Sequence, residues 1–147
     1  MDTSAPTSKA LKLIILSSAL AAFMSSLDGT IVNIALPTIS DIFDLPSSSV
    51  AWVSTIYLLV MAGSLLVVGK LTDIIGYRKI FLTGFVLFTL GSFACGFLPE
   101  MTGLFSLLLL SRVFQALGGV MMTVIAPAML SRYMPGAARA KGMSVVV

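Results

Sequence analysis

Four long apolar stretches, separated by short segments that carry most of the charge, leave this chain few ways to fold. A helix crossing about 30 Å of hydrocarbon at 1.5 Å per residue needs about 20 predominantly apolar residues. Stretches near residues 11–36, 50–69, 80–98 and 102–131 are each long enough, and a further one starts near Gly142 and runs to Val147. The expected fold is all-α: a polytopic transmembrane helix bundle over residues 10–147, with four spanning helices plus the start of a fifth. Residues 1–9 are small and polar, and are expected to form a disordered cytoplasmic lead-in.

Composition excludes several function classes. Of 147 residues, 58% are hydrophobic and 10% charged, and mean hydropathy is +1.07; a soluble domain carries about 25% charged residues. Lys9 and Lys12 ahead of an apolar run could imitate a signal peptide, but the run continues through Asp28 to Leu36, too long for such a leader. The net charge of +3 is spread between apolar stretches, so no continuous basic face forms and nucleic acid is not an expected partner. With no histidine and a single cysteine, Cys95, no intrachain disulfide and no Cys-rich metal cluster can be drawn, and neither a metal nor a cofactor is called for. Cys95 reads as small apolar packing. The spans hold no Ser/Lys or paired-Asp constellation, so no enzymatic acid/base apparatus is evident.

The basic residues carry topology instead. Lys9 and Lys12 precede the first span, Lys70, Arg78 and Lys79 lie between the second and third, and Arg132, Arg139 and Lys141 come after the fourth. The other two connections carry Asp41 and Asp44, and Glu100. Because cytoplasmic flanks hold the excess of Lys and Arg, the N-terminus is expected inside a multi-pass cell-membrane protein, with 41–49 and 99–103 outside. Leu45-Pro46-Ser47-Ser48-Ser49 reads as a turn into a serine N-cap of the second span.

Two ionisable groups fall within spans, Asp28 in the first and Arg112 in the fourth. A charge at bilayer depth costs at least about 2.5 kcal/mol and normally faces a partner or a watery cavity. The helical rise puts each about 13–15 Å below the outer end of its span, so they share a depth. A carboxylate that exchanges between a guanidinium partner and a dry, unpaired site changes its proton affinity, which makes a proton switch. A static pair, or two separately bonded groups on different faces, explains the same residues, and one sequence does not show whether these spans touch. Arg112, Gln115, Ala116, Gly119 and Thr123 make one small or polar stripe on the fourth span, suited to close helix packing or a cavity. The first span has two opposite stripes, Ala21/Ser25/Asp28/Ala35 and Ser26/Thr30/Asn33/Pro37, which suit a helix enclosed by protein.

In the connection from Gly69 to Lys79, Gly76 can supply a left-handed turn, Asp73 can cap the third span or pair with a base, and Arg78 and Lys79 can anchor at headgroups. Taken alone it is an ordinary cytoplasmic turn. Its order, however, resembles the G-x-L-x-D-x-x-G-x-[RK]-[RK] loop of the major facilitator superfamily, with Gly69, Leu71, Asp73, Gly76, Arg78 and Lys79 matching and Ile74 and Tyr77 replacing frequent arginines. Leu27 to Pro37 resembles the first-helix motif of the fourteen-helix drug:proton antiporter branch, and Trp52, Tyr57 and Leu58 fall where that branch has W…Y-L. Arg112 to Gly119 resembles its fourth-helix R-x-x-Q-G-x-G motif, with Ala116 in place of the first glycine.

The resemblance, which spans nearly the whole chain from Lys9, implies the N-terminal part of a major facilitator fold and proton-coupled efflux of drugs or small molecules. It makes Asp28 the proton- or cation-responsive group with Arg112 as partner, places Asn33 and Gln115 with them in the coupling site or substrate cavity, and makes Gly69, Asp73, Gly76, Arg78 and Lys79 a conformational-switch loop. The implied partners are the lipid bilayer, a small-molecule substrate, protons and the remaining transporter helices, since such transporters rock one six-helix half against another. The chain is accordingly expected to be a truncated copy or a piece of a longer one. Uptake or exchange of another solute, such as a sugar or metabolite, and a non-transporting membrane stub are the alternatives.

Overall fold

The computed structural model describes residues 8–133, with side chains described over 11–129. It contains α1 (Ser8–Phe43), the single turn α2 (Ser47–Val50), α3 (Trp52–Ile75), α4 (Tyr77–Thr102) and α5 (Phe105–Tyr133). Four helical stretches are long and apolar enough to cross a membrane: Leu11–Phe43, Ser47–Ile75, Tyr77–Thr102 and Phe105–Met129. The chain is thus an all-α, multi-pass membrane protein. The expected fifth span from Gly142, with Arg139 and Lys141, lies outside the described residues, as does most of the expected tail; Ser8 and Lys9 already begin α1.

Helices run further than the apolar stretches alone imply. α1 continues through Pro37 to Phe43, absorbing Asp41, and α4 continues through Pro99 to Thr102, absorbing Glu100. Only Gly103 and Leu104 then separate α4 from α5, which begins three residues later than expected. The turn after α1 is closed by Ser40, whose hydroxyl donates to the Leu45 carbonyl at 2.6 Å, and by Asp44 at φ 49°. No serine caps α2: Pro46 holds its N-cap position without a side-chain hydrogen bond. Ser47 falls inside the turn because the fixed φ of Pro46 already sets the entry.

α5 is the axis of the bundle. Over its most apolar stretch 56% of residues are buried, against 11% for α1, because α5 packs on α4, α3 and α1 together. Small residues let this happen. A Cβ on Gly91 would sit 2.7 Å from the Gln115 backbone, and one on Gly118 would collide with the Phe88 backbone, so the α4–α5 seam brings main chain against main chain. The second stripe of α1 does not share this enclosure: Ser26, Thr30, Asn33 and Pro37 are exposed among the described residues, while Ala21 is buried against α5.

Two apolar clusters divide the bundle by depth. Towards the Gly103 end, Val50, Val53 and Leu108 pack with Val32, Leu36, Phe43 and Phe105. Towards the Gly76 end, Ala21, Val68, Ile80, Phe88, Val120 and Ile125 do the same. On α1, α3 and α5 the intervals between these clusters contain the polar residues Asp28, Tyr57, and Arg112 with Gln115. Antiparallel packing of consecutive spans brings those intervals to one level.

Candidate functional site

At that level Arg112 reaches from α5 to α1 and α3 at once. Its Nη1 donates to both carboxylate oxygens of Asp28 at 3.0 Å and to Gln115 Oε1 at 2.6 Å. Its Nε donates to the Val53 carbonyl at 3.3 Å, and its guanidinium lies over the Tyr57 ring, 4.3 Å from the centroid. Gln115 Nε2 closes the triangle by donating to Asp28 Oδ1 at 2.8 Å. Arg112 is 3% exposed, and the Asp28 side chain 12%.

Helical periodicity explains why these groups converge. Arg112 and Gln115 are three apart on α5 and share a face, so one side chain bonds the other while both meet α1. Gly91 on α4 supplies the room behind Gln115, and one turn further Cys95 Sγ donates to Gln115 Oε1 at 3.5 Å. Cys95 is therefore more than the apolar filler expected from its surroundings. Burying a charge pair costs less when its other polar atoms are bonded, and Gln115 and the Val53 carbonyl supply part of that bonding.

A cavity of about 410 Å³ opens beside the pair, between α1, α3 and α5. Arg112 and Asn33 both line it, together with Ser25, Ser26, Ser54, Tyr57 and Thr123. The structure thus brings Asp28, Arg112 and Gln115 into direct contact and leaves Asn33, exposed, on the cavity wall without a hydrogen bond to them. Among the described residues no cluster of three or more His, Cys, Asp or Glu could hold a metal ion.

The residues of the expected switch loop lie elsewhere, at the Gly76 end. Gly76 alone separates α3 from α4, at φ 99° and ψ 145°. Its N–H still donates to the Thr72 carbonyl at 2.8 Å, so the chain reverses in one residue without losing that bond. Asp73 does not cap α4, contrary to one of the two roles read from the sequence. It sits in the last turn of α3, and the α4 N-cap has no side-chain bond. It forms no salt bridge with Arg78 or Lys79 among the described residues; all three are exposed. A Cβ on Gly69 would meet nothing within 4 Å, so packing among these residues does not require glycine there.

The sequence alone does not single out Val53, Ser54 or Tyr57 as parts of this site. A signal for α3 was present, since Ser54, Tyr57, Leu58 and Met61 follow i, i+3, i+4, i+7 spacing and all four line the cavity. The Val53 carbonyl had none, because a backbone acceptor is the same for every residue type.

Charged side chains bonded to one another inside a helical membrane bundle, beside a cavity, are the arrangement that marks substrate or ion pathways. The comparison with known families agrees: the family model of the Major Facilitator Superfamily matches residues 18–147, and the chain belongs to that superfamily of transporters. Similar proteins include the riboflavin transporter RibZ of Clostridioides difficile, 38% identical over 84% of this chain and 26% of its own length. The multidrug resistance protein Stp of Mycobacterium tuberculosis (strain CDC 1551 / Oshkosh) is 37% identical over 89% of the chain and 24% of its own length. The putative multidrug resistance protein MdtD of Salmonella paratyphi B is 38% identical over 87% and 26%. The chain spans about a quarter of the length of these curated relatives.

Proposed function

We propose that the chain supplies the first helices of a proton-coupled exporter of drugs or small molecules, with its N-terminus cytoplasmic. The observation that carries this reading is the Asp28–Arg112–Gln115 cluster, held between two apolar layers and bordered by the cavity. A carboxylate whose guanidinium partner is withdrawn in a poorly polar site takes up a proton more readily. Movement of α5 against α1 in an alternating-access cycle therefore couples protonation of Asp28 to opening. Arg112 is the modulator, because guanidinium keeps its charge at physiological pH. The α3–α4 turn, with Gly69, Asp73, Gly76, Arg78 and Lys79, acts in switching at the cytoplasmic face and does not touch solute. Transport needs helices beyond those described, and the names of Stp and MdtD favour drugs as cargo.

A second reading, carriage of a metabolite such as a vitamin, is favoured by the resemblance to RibZ. One experiment separates the readings. The complete polypeptide carrying residues 1–147 is reconstituted in liposomes, and accumulation of 5-carboxyfluorescein, rhodamine 6G and riboflavin is followed with and without an imposed pH gradient. Gradient-driven accumulation of either dye above protein-free liposomes is expected. Accumulation of riboflavin alone supports the second reading, and no response to the gradient rejects proton coupling.

A further inference from the structure

The cavity beside the ion pair has an unequal supply of hydrogen-bonding groups. Its one carboxylate neighbour, Asp28, already accepts from Arg112 through both oxygens and from Gln115. Of the guanidinium, Nε and Nη1 are bonded to Val53, Asp28 and Gln115, the Cys95 thiol lies beside it, and Arg112 also lines the cavity. Two hydroxyls of α3 that also line it, Ser54 Oγ and Tyr57 Oη, are buried without a hydrogen-bond partner. Tyr57 is 8% exposed. The Ser25 hydroxyl lies in its neighbourhood without meeting ordinary hydrogen-bond geometry. Buried polar atoms normally have partners, and leaving one bare costs its desolvation. Thr123, in contrast, spends its hydroxyl on the Gly119 carbonyl.

We propose that this cavity binds the hydrogen-bond-accepting end of the solute, a carboxylate or carbonyl on an apolar body, through Ser54, Tyr57 and Arg112. The inference rests on the reading of the cavity as the solute site and adds the chemical class of its ligand. Ser54 and Tyr57 are one helical turn apart on one face of α3, and Leu58 and Met61 continue that face as an apolar wall. An acceptor satisfies the bare donors without disturbing the ion pair. A cation finds Asp28 occupied and must first break that pair, leaving Arg112 buried and uncompensated.

Binding, read apart from transport, tests the class. The complete polypeptide is placed in nanodiscs and titrated by fluorescence anisotropy with 5-carboxyfluorescein and rhodamine 6G, dyes that share a ring frame and differ in bearing carboxylates or a positive charge. Because the two hydroxyls are unpartnered, Ser54→Ala and Tyr57→Phe leave the fold intact, and thermal melts verify this. Tighter binding of the carboxylate dye by the wild type is expected, with each substitution weakening it about 10-fold and changing rhodamine 6G by less than about two-fold. If the hydroxyls hold only water, neither substitution changes carboxyfluorescein binding, and the inference falls. It falls equally if rhodamine 6G binds as tightly as the acceptor dye. Failure of gradient-driven accumulation in liposomes would reject the transport reading while leaving this selectivity measurable, so the two failures are distinct.

Discussion

Asp28 and Arg112 are 84 residues apart in sequence and 3.0 Å apart in the bundle, joined by one guanidinium nitrogen that touches both carboxylate oxygens. Gln115 bonds each of them, so the three side chains behave as one unit and their substitutions should not be additive.

Replacing Asp28 by Asn removes the charge and the protonation site while keeping an acceptor for Arg112. Proton-driven export by the complete polypeptide should be lost, whereas solute exchange without a gradient should survive at a reduced rate. Vesicle transport at several imposed pH gradients measures this, and undiminished gradient-driven export would falsify the role of Asp28.

Arg112→Ala strands a carboxylate at bilayer depth, a loss of about 3–5 kcal/mol for breaking a buried pair. The variant should melt lower and show a displaced pH profile for whatever export survives. Adding Asp28→Asn should recover part of the stability, because it removes the uncompensated charge. A double variant no more stable than Arg112→Ala alone would contradict the pairing.

Gly76 occupies a backbone region that side chains rarely enter, at φ 99° and ψ 145°. Gly76→Val should cost about 1–3 kcal/mol and impair folding or switching, with dye affinity retained in the protein that does fold. Transport at the wild-type rate would remove Gly76 from the switch.

Glycines on the helices should divide by what faces them. Gly118→Ala and Gly91→Ala press on the opposing backbone and should each cost about 1–3 kcal/mol by overpacking. Gly96→Ala, which meets nothing within 4 Å, should leave the melting temperature close to the parent's. Thermal unfolding in one detergent gives the comparison, and equal losses at all three positions would count against the close α4–α5 seam.

Orientation is tested on a Cys95→Ser background, which keeps a hydroxyl donor for Gln115. Ser48→Cys, exposed within α2, should react with a membrane-impermeant maleimide from outside the cell. Labelling only after the cytoplasmic face is opened would invert the proposed topology.

Hydropathy and charge by themselves determined the number of described spans, the alternating sign of the charges near their ends, and Asp28 and Arg112 as the charged groups far from those ends, since crossing hydrocarbon is a one-dimensional requirement on composition. The depth shared by those two groups also came from helical rise alone. Span ends were less legible at Pro37 and Pro99, because proline within an apolar run looks like a stop while neighbouring helices can hold the helix continuous. What only the tertiary structure decided was lateral: that α5 is central, that Arg112 turns to Asp28 and over Tyr57, and that Ser54 and Tyr57, both lining the cavity, have buried hydroxyls without a partner. Lipid-facing and protein-facing positions are equally apolar in such a chain, so the rotation of each helix about its axis is set by backbone contacts such as Gly91 against Gln115 and by the bonds of a few polar atoms.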